Sequence, residues 1–189
     1  MIQDSNKFYI TTPIYYVNAS PHLGHAYTSV VADIIARHRR QNGQEVFFLT
    51  GTDEHGAKIA RAAETAGVPL EKFVEEGRAT FRNMFRALNL SHDDIIFTHD
   101  EARHFPAAQK LWRVLEEAGD IYKGTYGGLY CVGHEAFVTE KDLVDGKCQD
   151  HGSTPELIKE ENYFFRLSKY TDEIKKKIED DELLIMPEG

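Results

Sequence analysis

Three groups of side chains in this sequence have the types and spacing to do chemistry. The first is Pro21-His22-Leu23-Gly24-His25. Two histidines three residues apart at a helix start face one side of its first turn. Their imidazole N–H groups can there stabilise charge that builds on a phosphoryl group in transfer. A helix amino terminus adds unpaired backbone N–H groups and a partial positive charge, both of which attract phosphate. Gly24 lets a nucleotide approach the backbone closely. The second group is Thr50-Gly51-Thr52-Asp53-Glu54-His55-Gly56. Its two carboxylates and histidine, flanked by glycines, suit a substrate ammonium and a ribose or adenine edge; the same residues also read as a polar turn in which Asp53 caps the next helix. The third is Cys131-Val-Gly-His134 and, after thirteen intervening residues, Cys148-Gln-Asp-His151. Paired ligands repeated in this way are the usual arrangement of a tetrahedral structural zinc site. A metal-free hairpin knuckle is a second reading, and a disulfide between the only two cysteines a third, which a reducing compartment disfavours.

These groups need elements to hold them. Lys7 to Thr12 is aromatic and β-branched and precedes Pro13, which predicts a buried strand ending in a loop. From Leu23 the apolar positions Ala26, Tyr27, Val30, Val31, Ile34 and Ile35 recur at helical steps until Asn42-Gly43. Glu45 to Thr50 then predicts a second strand, parallel to the first through a right-handed crossover. Two helices follow, one over Ala57 to Ala66 and one along the stripe Leu70, Phe73, Val74, Phe81, Phe85 and Leu88. A third strand at Asp94 to Thr98 and a helical stripe from Phe105 to Leu115 continue the alternation. The expected fold is therefore α/β, with an open, Rossmann-like parallel sheet. Ligands of such sheets bind beyond the carboxyl ends of the strands, where the first two groups fall. After Gly119 the texture changes to short runs of glycine and aromatic residues, as expected of hairpins in a small antiparallel unit. The boundary is read as residues 1–119 and 120–189, with the knuckle-like segment at 131–151. Asn162 to Leu167 reads as a strand and Thr171 to Asp180 as a solvated helix.

Composition narrows the class. With 31 acidic and 22 basic residues among 189, the net charge of −9 argues against this chain being the main electrostatic grip on nucleic acid. At 41% hydrophobic residues it can bury a core, and its apolar runs are far too short to span a bilayer. Met1 to Lys7 shows no secretory pattern, so the cytoplasm is the expected location.

Taken together, Pro13-Ile14-Tyr15-Tyr16-Val17-Asn18, His22-Leu23-Gly24-His25 and Thr50-Gly51-Thr52-Asp53-Glu54-His55-Gly56, in this order and spacing, resemble the amino-terminal half of the methionyl-tRNA synthetases. His-Leu-Gly-His is similar to the HIGH signature of class I aminoacyl-tRNA synthetases. Ala118 to Tyr122, Gly128 to Cys131, Thr139 to Leu143 and Glu161 to Phe165 continue the resemblance over nearly the whole chain. It implies the first half of a class I catalytic domain with an inserted connective subdomain that is incomplete at its carboxyl end. It also implies adenylation of L-methionine by ATP with Mg2+, then transfer to tRNA(Met), which is bound mainly by parts outside this chain. On matching positions, His22 and His25 stabilise the α-phosphate in flight, Gly24 underlies the adenine and Asn18 shapes the ATP loop. Asp53 holds the methionine ammonium, and Ile14 and Tyr16 line the thioether pocket. Zn2+ at Cys131, His134, Cys148 and His151 is structural; the family's usual residue at His134 is cysteine. No KMSKS-like lysine loop occurs in these residues, so catalysis is expected to need a further carboxyl-terminal half. Two other readings stand beside this one: a small nucleotidyltransferase with the same His-x-Gly-His chemistry, and a non-catalytic, synthetase-derived tRNA-binding or zinc-stabilised interaction module.

Overall fold

The structure, a computed structural model, describes residues 6–186. The chain forms two compact units that divide between Ala107 and Ala108. The first contains β1 (Lys7–Thr11), β2 (Tyr15–Tyr16), α1 (Leu23–Gln41), β3 (Glu45–Asp53), α2 (Ala57–Ala66), α3 (Leu70–Ala87) and β4 (Asp94–Phe97). β3 is central and every pairing is parallel. β1 and then β2 run along one side of it, and β4 along the other. Pro13 lies in the break between β1 and β2, where a residue without an N–H cannot serve a ladder.

Register decides what each side of the sheet meets. Residues paired across parallel strands share a face, and alternate residues of one strand return to it. Ile10 lies opposite Phe48, and both pack on Ala32 and Ala36 of α1. Tyr15 lies opposite Thr52, and Ile95 opposite Thr50. These two join Phe81 and Phe85 of α3 in the larger core, where the Tyr15 and Phe81 rings stack with centroids 5.5 Å apart. α1 and α3 therefore cover the same face, as two successive right-handed crossovers require. The opposite face is left open: Tyr9 and Phe47, paired in register and stacked on one another, are 61% and 47% exposed.

Polar ties fix the helices to this frame. The buried Asp33 of α1 accepts from the backbone N–H and the hydroxyl of Ser91, each at 2.6 Å, and from Arg37. Burial pushes the Asp33 carboxyl up, but the Ser91 and Arg37 donors outweigh it and hold the group below its usual range. Tyr15 reaches Ser29 of α1 through its hydroxyl, at 2.9 Å. Gly77 of α3 is needed for contact, because a Cβ there would stand 2.6 Å from the Val17 side chain.

α4 (His104–Glu117) runs across the division between the units. The second unit then contains β5 (Ile121–Cys131), β6 (Ala136–Val138), β7 (Leu143–Val144), β8 (Lys147–Cys148), β9 (Glu156–Phe165) and α5 (Thr171–Glu179). All its pairings are antiparallel. The antiparallel hairpins expected after Gly119 are present as β5–β6 and β7–β8, and the glycines do not interrupt β5. β5 is one strand of 11 residues, paired with β9 from Ile121↔Phe165 to Tyr130↔Glu156. Gly124 explains part of this, since the space a Cβ would occupy lies 3.2 Å from the Phe164 ring on the neighbouring strand. The glycine makes room for an aromatic side chain across the ladder. The carboxylate of Asp120, itself buried, binds Lys169 and Tyr170 and joins the start of β5 to the turn after β9.

Candidate functional site

His22 occupies the N-cap of α1, with extended backbone (φ −123°, ψ 175°), and His25 is the third helical residue. The Nδ1 of His22 accepts from the Gly24 N–H at 3.1 Å, and the His22 N–H donates to Nδ1 of His25 at 3.1 Å. This is a capping box made of two imidazoles, in positions normally taken by Ser or Thr and Glu. Its chemical consequence is tautomeric. A neutral imidazole that accepts at Nδ1 carries its proton on Nε2, so both rings present Nε2–H as a donor. The ring centroids are 3.8 Å apart. Burial, and then the neighbouring His22, push the pKa of His25 down, which keeps His25 neutral at pH 7. Tyr15 meets the His25 ring edge-on at 4.8 Å and fixes it from below. Gly24 has a reason beyond access for a nucleotide: a Cβ there would stand 2.9 Å from the His22 ring.

The residues assigned to methionine meet at the carboxyl end of β3. Tyr16 lies opposite Asp53 in register, so the two share a face, and the Ile14 side chain stands over Gly51 on it. A Cβ on Gly51 would come within 2.4 Å of the Ile96 carbonyl oxygen. Asp53 does not cap α2, whose N-cap is Gly56 without a side-chain bond. Among the described residues its carboxylate accepts only from the His55 N–H, at 3.2 Å, through Oδ1. Glu54 is different. Its side chain is fully buried and bound by Arg78, Thr52 and the His99 N–H, so of the two adjacent carboxylates only Asp53 is open to a ligand. His55 anchors its ring on the Thr98 carbonyl at 3.0 Å. Asn18 stands exposed on the loop between β2 and α1, where it lines a pocket of about 220 Å³ with Ser20, Gly77 and Thr80.

In the second unit, Cys131 ends β5, His134 lies in the turn to β6, Cys148 ends β8 and His151 follows it. One ligand atom from each lies within 4.8 Å of all the others. Cys148 Sγ is 3.5 Å from Nδ1 of both histidines, and Cys131 Sγ is 3.9 Å from Nδ1 of His151. A tetrahedral zinc with ordinary Zn–S and Zn–N bonds has S···N edges of roughly 3.6 Å. The four residues fit the ion. Both thiols are free and buried, so the structure contains no disulfide between them. The backbone N–H of His134 faces Cys131 and, against the effect of burial, helps to lower its thiol to about 6, which favours the thiolate a metal needs. Asp150, which the sequence motif did not single out, takes the far nitrogen of His134 at 2.8 Å and raises its pKa. A carboxylate behind a histidine in this way fixes the ring for ligation. Its one signal in the sequence is its place inside the second ligand pair. Gly133 is required by packing, because a Cβ would stand 2.3 Å from the His151 ring.

A parallel α/β sheet, a helix that opens on His-x-Gly-His, and a carboxylate at the carboxyl end of the central strand together have the form of a class I synthetase catalytic domain. Sequence comparison agrees: the family described as tRNA synthetases class I (M) matches residues 8–150 and 138–188, and the chain belongs to it. The methionine–tRNA ligase of Clostridium acetobutylicum is 47% identical over the whole chain, which covers 29% of that protein. The corresponding ligase of Rickettsia bellii is 48% identical over 90% of the chain and 33% of its own length. Among solved structures, the methionyl-tRNA synthetase of Mycobacterium tuberculosis in complex with methionyl-adenylate superposes with a TM-score of 0.89 at 43% identity, over 97% of this chain and 36% of that one. The LeuRS of Agrobacterium radiobacter shares the fold at 21% identity and a TM-score of 0.73. The chain thus spans about a third of the length of the curated relatives it matches. Among the described residues, no helix is long and apolar enough to cross a membrane.

Proposed function

We propose that this chain is the amino-terminal part of a catalytic domain that activates L-methionine with ATP and serves its transfer to tRNA(Met). The observation that carries the reading is the pair of Nε2–H donors on His22 and His25 at the amino terminus of α1. Both ATP and its Mg2+ are substrate here. Adenylation is an in-line displacement: the methionine carboxylate attacks the α-phosphorus and pyrophosphate leaves, so the protein needs no nucleophile of its own. His22 and His25 donate to the phosphoryl oxygens as charge develops, at a site whose helix dipole has the right sign. Asp53 binds the ammonium, Ile14 and Tyr16 contact the thioether chain, and Gly24 and Asn18 border the nucleotide. In the complete enzyme, His25→Ala is expected to slow methionine-dependent pyrophosphate–ATP exchange by roughly 10²- to 10³-fold, with methionine affinity close to wild type. An unchanged exchange rate would remove the histidine pair from the mechanism.

The open sheet face at Tyr9 and Phe47 supports a second half that covers it. We place the functional boundary after Gly119, with residues 120–189 forming the connective subdomain. A cytoplasmic, reducing location keeps Cys131 and Cys148 available as thiolates. Zinc bound by Cys131, His134, Cys148 and His151 would close its coordination with protein ligands and so hold local structure, leaving no position for an activated water. Elemental analysis after dialysis is expected to give one zinc per chain, and Cys148→Ser to lose it. Metal-free, folded protein with both thiols titratable would show that the knuckle stands by packing alone.

A further inference from the structure

We propose that Arg78, acting through Glu54, is a positioning residue that sets the orientation of the Asp53 carboxylate and thereby the affinity for methionine. The proposal rests on the reading of Asp53 as the ammonium ligand. Asp53 is the last residue of β3, and among the described residues its own carboxylate is held by a single 3.2 Å bond. Little in its side chain keeps it aimed. The next residue is held far more firmly. Glu54 receives Arg78 Nε on Oε1 at 2.6 Å and Arg78 Nη2 on Oε2 at 2.5 Å, a two-pronged pair. Thr52 Oγ1 donates to Oε1 at 2.7 Å, and the His99 N–H to Oε2 at 3.2 Å. The Glu54 N–H meets Thr98 Oγ1 at 2.8 Å. Two adjacent carboxylates thus divide the work. One is sealed inside and bolted to α3 and the β4 end, and the other is carried by the same peptide toward the substrate.

The guanidinium is also held in place. Arg78 lies over the Phe97 ring at 4.9 Å and bonds to Glu75 at 3.2 Å. Burial pushes the Glu54 carboxyl up, and Arg78, Thr52 and His99 together bring it below its usual range, so the pair is ionised. Without Arg78 a buried carboxylate has lost its counter-charge, and the strand end must move or the group must take up a proton. Lysine supplies charge but not the planar fork.

The test uses the complete enzyme carrying this sequence. Arg78→Met is expected to raise KM for methionine by about 10-fold or more while KM for ATP changes by less than about threefold, the pattern of a misplaced binding group. Arg78→Lys is expected to restore part of the loss, and Glu54→Gln to fall between. A role in stability alone would lower Tm and the fraction of active molecules but leave KM for methionine unchanged. Wild-type KM for methionine in Arg78→Met would overturn the proposal whatever happens to Tm. If that variant does not fold, unchanged KM in both Arg78→Lys and Glu54→Gln overturns it instead. Asp53→Asn separates the two levels. Normal methionine affinity in that variant removes the underlying reading and this inference with it, whereas loss of affinity there with none in the Arg78 variants removes this inference alone.

Discussion

Methionine-dependent pyrophosphate–ATP exchange by these 189 residues alone is expected to lie roughly 10³-fold or more below that of a complete synthetase, although the histidine pair is in place. In a doubly wound sheet the nucleotide sits at the switch point between two strand–helix halves, and each half lines one wall. On the function proposed above, the first unit supplies one half. Among its described residues, β1 and β2 each pair only with β3, and the face bearing Tyr9, Phe47, Tyr16 and Asp53 carries no helix in the core clusters. These residues also contain no KMSKS-like lysine loop to hold the ATP phosphates. The unpaired strand edge and the exposed aromatic pair should make the isolated polypeptide self-associate or seek a complementing half. Exchange comparable to a full-length enzyme would overturn this argument. Activity restored only by adding the carboxyl-terminal half would support it.

Asp53→Ala in the complete enzyme is expected to weaken methionine binding by about 2–5 kcal/mol, or more than tenfold and up to several thousandfold in Kd, as for other buried, hydrogen-bonded charge pairs cut on one side. The fold should survive. The carboxylate caps no described helix, and among the described residues its one bond is the 3.2 Å contact with the His55 N–H. Calorimetric titration of methionine into the folded variant measures the effect directly. Affinity equal to wild type would assign the ammonium to another group, and Glu54 could not take over, since its carboxylate is buried under Arg78.

Three of the four strands of the first unit, β1, β3 and β4, and its helices α1 to α3 were legible in the residues themselves; the two-residue β2 was not. Apolar steps of three and four from Leu23, and the stop at Asn42-Gly43, match α1 at Leu23–Gln41, and Ala57–Ala66 is a helix to the residue. In α2 and α3 local periodicity carries this information because one apolar face is buried, with Ile59, Ala63, Val74, Phe81 and Phe85 in the core, whereas in α1 the stripe of Leu23, Tyr27 and Ile34 is exposed and the buried positions are Ser29, Ala32, Asp33 and Ala36. The zinc-type spacing was legible because it too is local: ligand pairs with two residues between them are held by one turn, whatever the rest of the chain does. Three things needed the tertiary structure. Which of Asp53 and Glu54 is open to a ligand depends on where Arg78 arrives from α3, 24 positions away in sequence. The tautomers of His22 and His25 follow from a capping box that composition rules reserve for hydroxyl and carboxylate side chains. The course of β5 past Gly124 depends on Phe164 of β9, whose ring takes the space a side chain there would need. For the carboxylates and for β5 the deciding partner is far away in sequence, whereas for the two histidines it lies within three residues and is set by the way α1 begins. Periodicity and local spacing therefore identify elements and candidate groups, while the burial and hydrogen bonding of the folded chain decide which of those groups face a ligand and in what protonation state.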